Sequence, residues 1–532
     1  MEHTKQRKMP TKEDEITTAN KMADFYVKKI ETIRHAISST NYVCVPQHTV
    51  IRTNDDFTQF HPVSMMDLGK IIASMNSKTC MSDPAPTCLV KYSVKVLLPV
   101  LQHFINSSFT ENSFADQLKL VLVTPIIKNV SSDEDDFQNY RPVSNLPFLA
   151  KLLERVMYVQ LNEYIESKQL HGKYQSAYRR FHSCETALFK TMGDIQEMLA
   201  KKSAVALVLL DSSAAFDTVD HMLLLHRLEG RFKIRGYALE LIKSYLNNRT
   251  FRVVLNNTKG KPVPLHYGVP QGSILGPLLY SLYTEQIEEL TERHGLKVHV
   301  YADDIQIYFC FTDESRNSEH HKLRKCMNDL KTWMNESFLK LNPNKTMVKM
   351  FFPRNSDFNV GSFDLGSETA NIEPVPSVKV LGVTLGPGTM FEKFISKKIT
   401  SCNFHLRNLR TVRQCIPEPT KITVVKSLII SNLDYCNLLL LCSPDCDLIP
   451  LQRILNKAVR IIFNLNRYER TSPYLFRLQI LPIKYRIISR TTHRQDVHEA
   501  CPVKLLEVYT FIMGKIFFLK ILQNNAMELN VN

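Results

Sequence analysis

The stretch VHVYADDIQIYF, residues 298–309, sets two adjacent carboxylates, Asp303 and Asp304, inside a run that is otherwise apolar, β-branched and aromatic. Val298, Val300, Ile305, Ile307 and Phe309 suit a pleated surface and Ala302-Asp303-Asp304 suits a tight turn, so the segment reads as strand, turn, strand with the acids at the hairpin tip. Asp-Asp can be turn chemistry alone, because Asp tolerates left-handed backbone and hydrogen-bonds its own main chain. Against that, the flanks carry no solvated polar face, so the hairpin should be buried. Two buried like charges repel unless something positive lies between them, and a divalent cation fits that role. A third carboxylate at the end of another apolar strand decides between the two readings.

That acid lies upstream, in VALVLLDSSAAFDTVDH, residues 205–221. Val205 to Leu210 is a continuous apolar run, as in a central strand buried on both faces, and Asp211 stands where it ends. Alone, Asp211 could equally cap the following helix. With Asp303 and Asp304 it forms the set that two-metal phosphoryl transfer needs, with two cations roughly 3.5–4 Å apart serving the attacking hydroxyl and the leaving pyrophosphate. Asp217 and Asp220 read as caps or surface acids. Between these elements, HYGVPQGSILGPLLYSLYTEQI (266–287) places a Pro270-Gln271-Gly272-Ser273 turn before a long apolar helix, with Gly272 and Gly276 leaving backbone open to a closely packed ligand such as a base.

The rest of the chain is consistent with a folded, nucleic-acid-handling protein. Its 532 residues exceed one ordinary core, so two to four units are expected, and 44% are hydrophobic. Lys and Arg outnumber Asp and Glu by 15, 67 against 52, which argues for a polyanionic partner. The excess concentrates after residue 390, with twenty-one basic against ten acidic side chains. Twelve scattered cysteines and an N-terminus without an apolar core suggest reduced thiols inside the cell. Cys442 and Cys446 lack a second ligand pair, which weakens a zinc reading. No run of eighteen apolar residues offers a membrane span.

Along the chain, residues 1–115 read as a helical extension without evident chemistry, including the amphipathic stretch NKMADFYVKKIETIRHAI (20–37) and the Pro-broken connector CMSDPAPTCL (80–89). From about 116 to 385 short apolar strands alternate with helices, an α+β texture. Residues 386–495 read as basic helices, and 496–532 as a divergent tail.

In order, the phrases LVTPIIK (122–128), NYRPVSNLPFLAKLLERV (139–156), QSAYRRFHSCETAL (175–188), LDSSAAFDTVDH, GVPQGSILGPLLY, YADD, LKLNPNKT (339–346), VKVLGV (378–383) and NLDYCN (432–437) resemble the LINE-type, non-LTR retrotransposon reverse transcriptases, in particular their chicken-repeat-like branch. The resemblance covers roughly residues 60–490. It implies a right-hand polymerase of fingers, palm and thumb that extends a DNA primer on an RNA template with dNTPs, using two Mg2+ or Mn2+ ions, and it implies a nuclear location. On this resemblance Asp211, Asp303 and Asp304 are the catalytic metal ligands, with the main-chain carbonyl of Ser212 beside the metals. Phe216 would exclude a 2′-hydroxyl, which disfavours an RNA polymerase. Gln271 and Gly272 would hold the incoming base pair, Lys128 and Arg141 would grip the triphosphate, and Lys345 would protonate pyrophosphate.

The sequence departs from the family in places. The apurinic-type endonuclease usual ahead of the polymerase is expected to be missing. The usual Pro-Gly before His182 is Arg180-Phe181, Cys184 replaces Thr, and ERTSPYLFRLQILPI (469–483) has altered His and Trp positions. A non-catalytic nucleic-acid-binding remnant is therefore the alternative function.

Overall fold

The structure, a computed structural model, describes residues 13–38, 53–129, 131–353, 362–363, 365, 372–386 and 390–492. The divergent tail 496–532 lies outside them. The architecture mixes helices and strands, as the α+β texture predicts.

The element that organises the molecule is strand β3, Ala204–Leu210, every residue of which is buried. Among the described residues it is one of thirteen strands: β1 (Leu120–Ile127), β2 (Tyr140–Asn145), β3, β4 (Ser212–Ser213), β5 (Thr250–Leu255), β6 (Thr258–Lys259), β7 (Val263–Pro264), β8 (Lys297–Tyr301), β9 (Asp304–Phe311), β10 (Lys340–Leu341), β11 (Met347–Phe351), β12 (Val378–Val380) and β13 (Val383–Leu385). The central sheet runs β11-β3-β9-β8, all antiparallel. Successive side chains of a strand point to opposite faces, and here each face meets a different core. Ala204, Ala206, Val208 and Leu210 join a core shared with the N-terminal helices and with helix Phe148–Ser167. Val205, Leu207 and Leu209 join a second core with the helices Glu392–Val412 and Asp445–Phe463. An alternating pattern would leave one face wet. The continuous apolar run is what a strand covered on both sides requires.

A second sheet, β2-β1-β5-β6 with β7 also on β5, carries a parallel β1–β5 pair. Helix α1 (Glu15–Ser38) packs across β5 and β6. Its polar side chains are tied there: the Glu15 carboxylate accepts from Asn256 and Thr258, Asn20 Oδ1 accepts from Lys261 N at 2.7 Å, and Lys261 pairs with Asp24. The expected helix after the Pro270-Gln271-Gly272-Ser273 turn comes in two pieces, Gly276–Thr284 and Gln286–Arg293. Glu285 between them keeps right-handed backbone (φ −58°, ψ −31°), and its carboxylate accepts from the buried Arg231 at 2.6 Å. Among the described residues no helix is long and apolar enough to cross a membrane, and the described cysteines, Cys442 and Cys446 included, are free.

Candidate active site

Register brings the acids together. In the β3–β9 ladder Leu210 faces Ile305, and Asp211 and Asp304 are the next residues outward on each strand. On the other side of β9, Tyr301 faces Asp304 across a two-residue loop, Ala302-Asp303, in which Ala302 takes φ +58°. Primed hairpin turns need a positive φ at this position, because only that twist matches the strands. After Asp211 the chain leaves the central sheet: Ser212 is buried and pairs with Leu341 of β10, and the Asp211 carbonyl accepts from Asn342 N at 2.9 Å. This pairing delivers the turn Pro343–Lys345 to the acids, and Lys345 Nζ donates to Asp211 Oδ2 at 2.7 Å.

Electrostatics mark the cluster. Desolvation, then the neighbouring Asp211, raises the Asp303 pKa. Asp304, although exposed along one side, is pushed up to about 6 by desolvation and then by repulsion from Asp303 and Asp211. Lys345 acts on both acids in the opposite sense, and Arg141 does so on Asp303. No three His, Cys, Asp or Glu side chains among the described residues stand close enough to hold a metal ion as they are.

The basic residues face the acids from the second sheet. Arg141 is exposed on β2, opposite Ile126 of β1. Lys128 follows β1 and donates to the Gln138 carbonyl at 2.6 Å. Its pKa is lowered by desolvation and then by the positive charges of Lys29, Lys345 and Arg141, so these four cations share one region.

Phe216 stacks on Tyr280 (centroids 4.5 Å apart, planes at 20°) and meets the ring of Tyr178 edge-on at 6.5 Å. It is partly buried against the first core. Gln271 is anchored at both ends: its carbonyl accepts from Ser144 N at 2.9 Å, and its Nε2 donates to both Asp217 oxygens at 2.9 and 2.8 Å. At Gly272 (φ +121°) a Cβ would lie 2.6 Å from the Ser144 carbonyl oxygen, so the room that glycine leaves there is filled by β2.

Several residues at the site were not legible as such. Asp220 caps helix His221–Phe232 as expected, but Asp217 is neither a cap nor a surface acid. It is turned inward onto Gln271, and burial pushes its carboxyl up to about 6. The N-terminal region, which shows no chemistry in sequence, contributes Tyr26, Lys29 and Ile30 of α1 to a cleft that also reaches Ser144, Asp217 and Gln271. Asp211, Asp303 and Asp304 do not line this cleft. Glu154, fully buried, accepts from Ile274 N at 2.6 Å and Leu275 N at 3.3 Å, holding the turn that carries Gln271. Desolvation raises its pKa, and Arg249 opposes that. The signal for Glu154 was available: it lies on the apolar stripe of its helix, four residues after Ala150 and three before Met157. Nothing in α1 marks it out, because its residues matter only through what they touch.

Comparison with known proteins adds a family likeness. Residues 128–385 match the family described as reverse transcriptase (RNA-dependent DNA polymerase). The chain is similar to the probable RNA-directed DNA polymerase from transposon BS of Drosophila melanogaster, 26% identical over 66% of this chain and 39% of that protein. It is similar also to the RNA-directed DNA polymerase from mobile element jockey of the same species (28%, over 46% and 27%) and to the probable RNA-directed DNA polymerase from transposon X-element (25%, over 76% and 44%). The chain spans less than half the length of these relatives. Over residues 128–385 the chain carries a reverse transcriptase domain, and its relatives are polymerases of mobile elements.

Proposed function

We propose that this protein extends a DNA primer on an RNA template with dNTPs, as the polymerase of a non-LTR retrotransposon acting inside the cell, in the nucleus. The observation that carries the reading is the β3–β9 register, which sets Asp211 beside Asp304 with Asp303 at the adjoining turn. In this reading the β11-β3-β9-β8 sheet is the palm, the sheet built on β1, β2 and β5 the fingers, and the helices from 392 onward the thumb.

The donor set suits a hard divalent cation such as Mg2+ or Mn2+: carboxylate oxygens, two of them with pKa values raised by burial and mutual repulsion. Asp211, Asp303, Asp304 and the Ser212 carbonyl would hold two such ions, which when bound supply activation of the primer hydroxyl and charge stabilisation of pyrophosphate. The chain's own groups do the rest. Lys128 and Arg141 attract the triphosphate. Gln271, fixed by Asp217, and the turn at Gly272 seat the base pair. Phe216 would close the space a 2′-hydroxyl needs, and Lys345, which pairs with Asp211, would give a proton to the leaving group.

The competing reading, a non-catalytic nucleic-acid-binding protein, is favoured by one observation, the Lys345–Asp211 ion pair that occupies a ligand carboxylate. Primer extension on an RNA template with Mg2+ or Mn2+ separates the two. The wild type should incorporate dNTPs, and Asp303→Asn should abolish incorporation while binding template-primer normally. A wild-type protein that binds and extends nothing under either metal overturns the polymerase reading.

A further inference from the structure

The phrase QSAYRRFHSC, residues 175–184, has no part in the roles above, yet its first residues lie against the acid-bearing hairpin. Val300 N donates to the Tyr174 carbonyl at 3.0 Å and Ser176 N donates to the Val300 carbonyl at 3.0 Å, so the segment adds a parallel bridge to the outer edge of β8. Its base is rigid. Tyr174 N donates to both Glu288 oxygens at 3.0 Å, and Arg179 Nη1 donates to the carbonyls of Gly172 (2.8 Å) and Gln175 (3.2 Å). From this base the buried Gln175 side chain reaches the turn, where its Oε1 accepts from Ala302 N at 3.1 Å and from Ala177 N at 2.9 Å. Three residues on, the Tyr178 ring stands perpendicular to that of Phe216.

We infer that Gln175 is a positioning residue of the active site, holding the Ala302-Asp303 turn that carries Asp303 and leads into Asp304. The assignment rests on the reading of Asp211, Asp303 and Asp304 as the metal-binding acids. Its physical basis is threefold. Ala302 is an L-residue at φ +58°, a backbone state that does not hold itself. Its N–H is buried, so without an acceptor the turn gains by rearranging to find one. The acceptor is a neutral amide, which supplies the bond without a fourth negative charge beside three acids that already repel one another.

The test compares Gln175→Met, which keeps length and burial but removes the acceptor, with wild type and with Ile165→Ala, a core substitution on helix Phe148–Ser167. Primer extension at saturating dNTP should fall about tenfold in Gln175→Met and the half-saturating Mg2+ concentration should rise at least fivefold, while dNTP KM and template-primer affinity change less than twofold. Hydrogen exchange read without metal or substrate should quicken about tenfold in a peptide covering 298–309 and stay unchanged in one covering 204–210. Gln175→Glu, which restores an acceptor but adds a negative charge, should recover the slow exchange without recovering the rate. If Gln175→Met does not fold, Gln175→Asn, one methylene short of the turn, takes its place. A Gln175→Met protein with wild-type Mg2+ midpoint and hairpin exchange, or one whose loss of rate is matched by Ile165→Ala with no Mg2+ shift, overturns the assignment. An active wild type with an indifferent Gln175→Met overturns the positioning role alone, whereas an inert wild type overturns the polymerase reading and the role with it.

Discussion

Phe181 shows what a single departure costs. It stands where the family usually has glycine, and its backbone takes φ +64° with the ring exposed. A side chain in left-handed backbone is disfavoured by about 1–2 kcal/mol, and glycine escapes most of that. Phe181→Gly is therefore expected to stabilise the protein by about 1 kcal/mol, read as a higher urea midpoint. Phe216 is the sharper case. If its ring limits the sugar pocket, Phe216→Ala relaxes discrimination against rNTPs by about 1–3 kcal/mol, measured as the ratio of rNTP to dNTP incorporation. A lowered melting temperature with an unchanged ratio would assign the ring to packing on Tyr280 alone. Asp217 yields a pH prediction. Burial raises its pKa from 3.8 to about 6, so between those values the folded state binds the proton more tightly than the unfolded one. Its contribution to stability is full below pH 3.8 and is lost as pH rises through about 6. Asp217→Asn lacks this titration, so the stability of the wild type relative to the variant should fall from about pH 4 to about pH 7 in paired denaturant titrations.

Among elements, α1 has the largest gap between how it reads and what it does. Its Arg34 donates to Asp220 Oδ2 at 2.8 Å while its guanidinium lies 3.7 Å from the Tyr267 ring centroid and 3.9 Å from that of Phe338. One side chain thereby clamps three segments: the loop after Asp211, the loop before Gln271 and the turn into β10. A half-buried ion pair with two aromatic faces is geometry that guanidinium fits and ammonium does not. Arg34→Ala is expected to destabilise the protein by about 2–4 kcal/mol, with Arg34→Lys recovering less than half, and to lower primer extension through the displaced loops. Equal stability of Arg34→Lys and wild type in denaturant would show that charge alone matters there. Helix Asp445–Phe463 illustrates the opposite case, in which pattern suffices. Ile454, Leu455, Ala458 and Val459 are buried while Arg453 and Lys457 are exposed, the two faces of an amphipathic helix.

For the whole molecule, the central sheet divides two cores, and the helices of the second core carry the basic excess outward. Template-primer binding should accordingly weaken steeply with salt, with a slope of log K against log salt near −4 if about five phosphates are neutralised. Replacing Arg453 and Lys457 by Glu should reduce that slope by about 1 for each phosphate left without its cation, with little change in the urea midpoint because both side chains are exposed. An unchanged slope would place the nucleic-acid surface elsewhere on the molecule.

Those residues that announce their own environment were legible in the sequence. A run such as Val205–Leu210 has no polar face, so it must be covered on both sides, and the acids at its end and in the 298–309 hairpin are conspicuous because burial penalises charge. Spacing along the chain likewise dictated the helices and the hairpin, since those interactions are local. What only the tertiary structure decided is which distant groups meet. Gln175 reaches Ala302 across 127 positions and Arg34 reaches Asp220 across 186, and polarity patterns report whether a side chain is buried but carry no label for its partner. Asp217, Glu154 and Lys29 acquired their roles in the same way, through strand register and helix docking that place them beside the Gln271 turn or the acids.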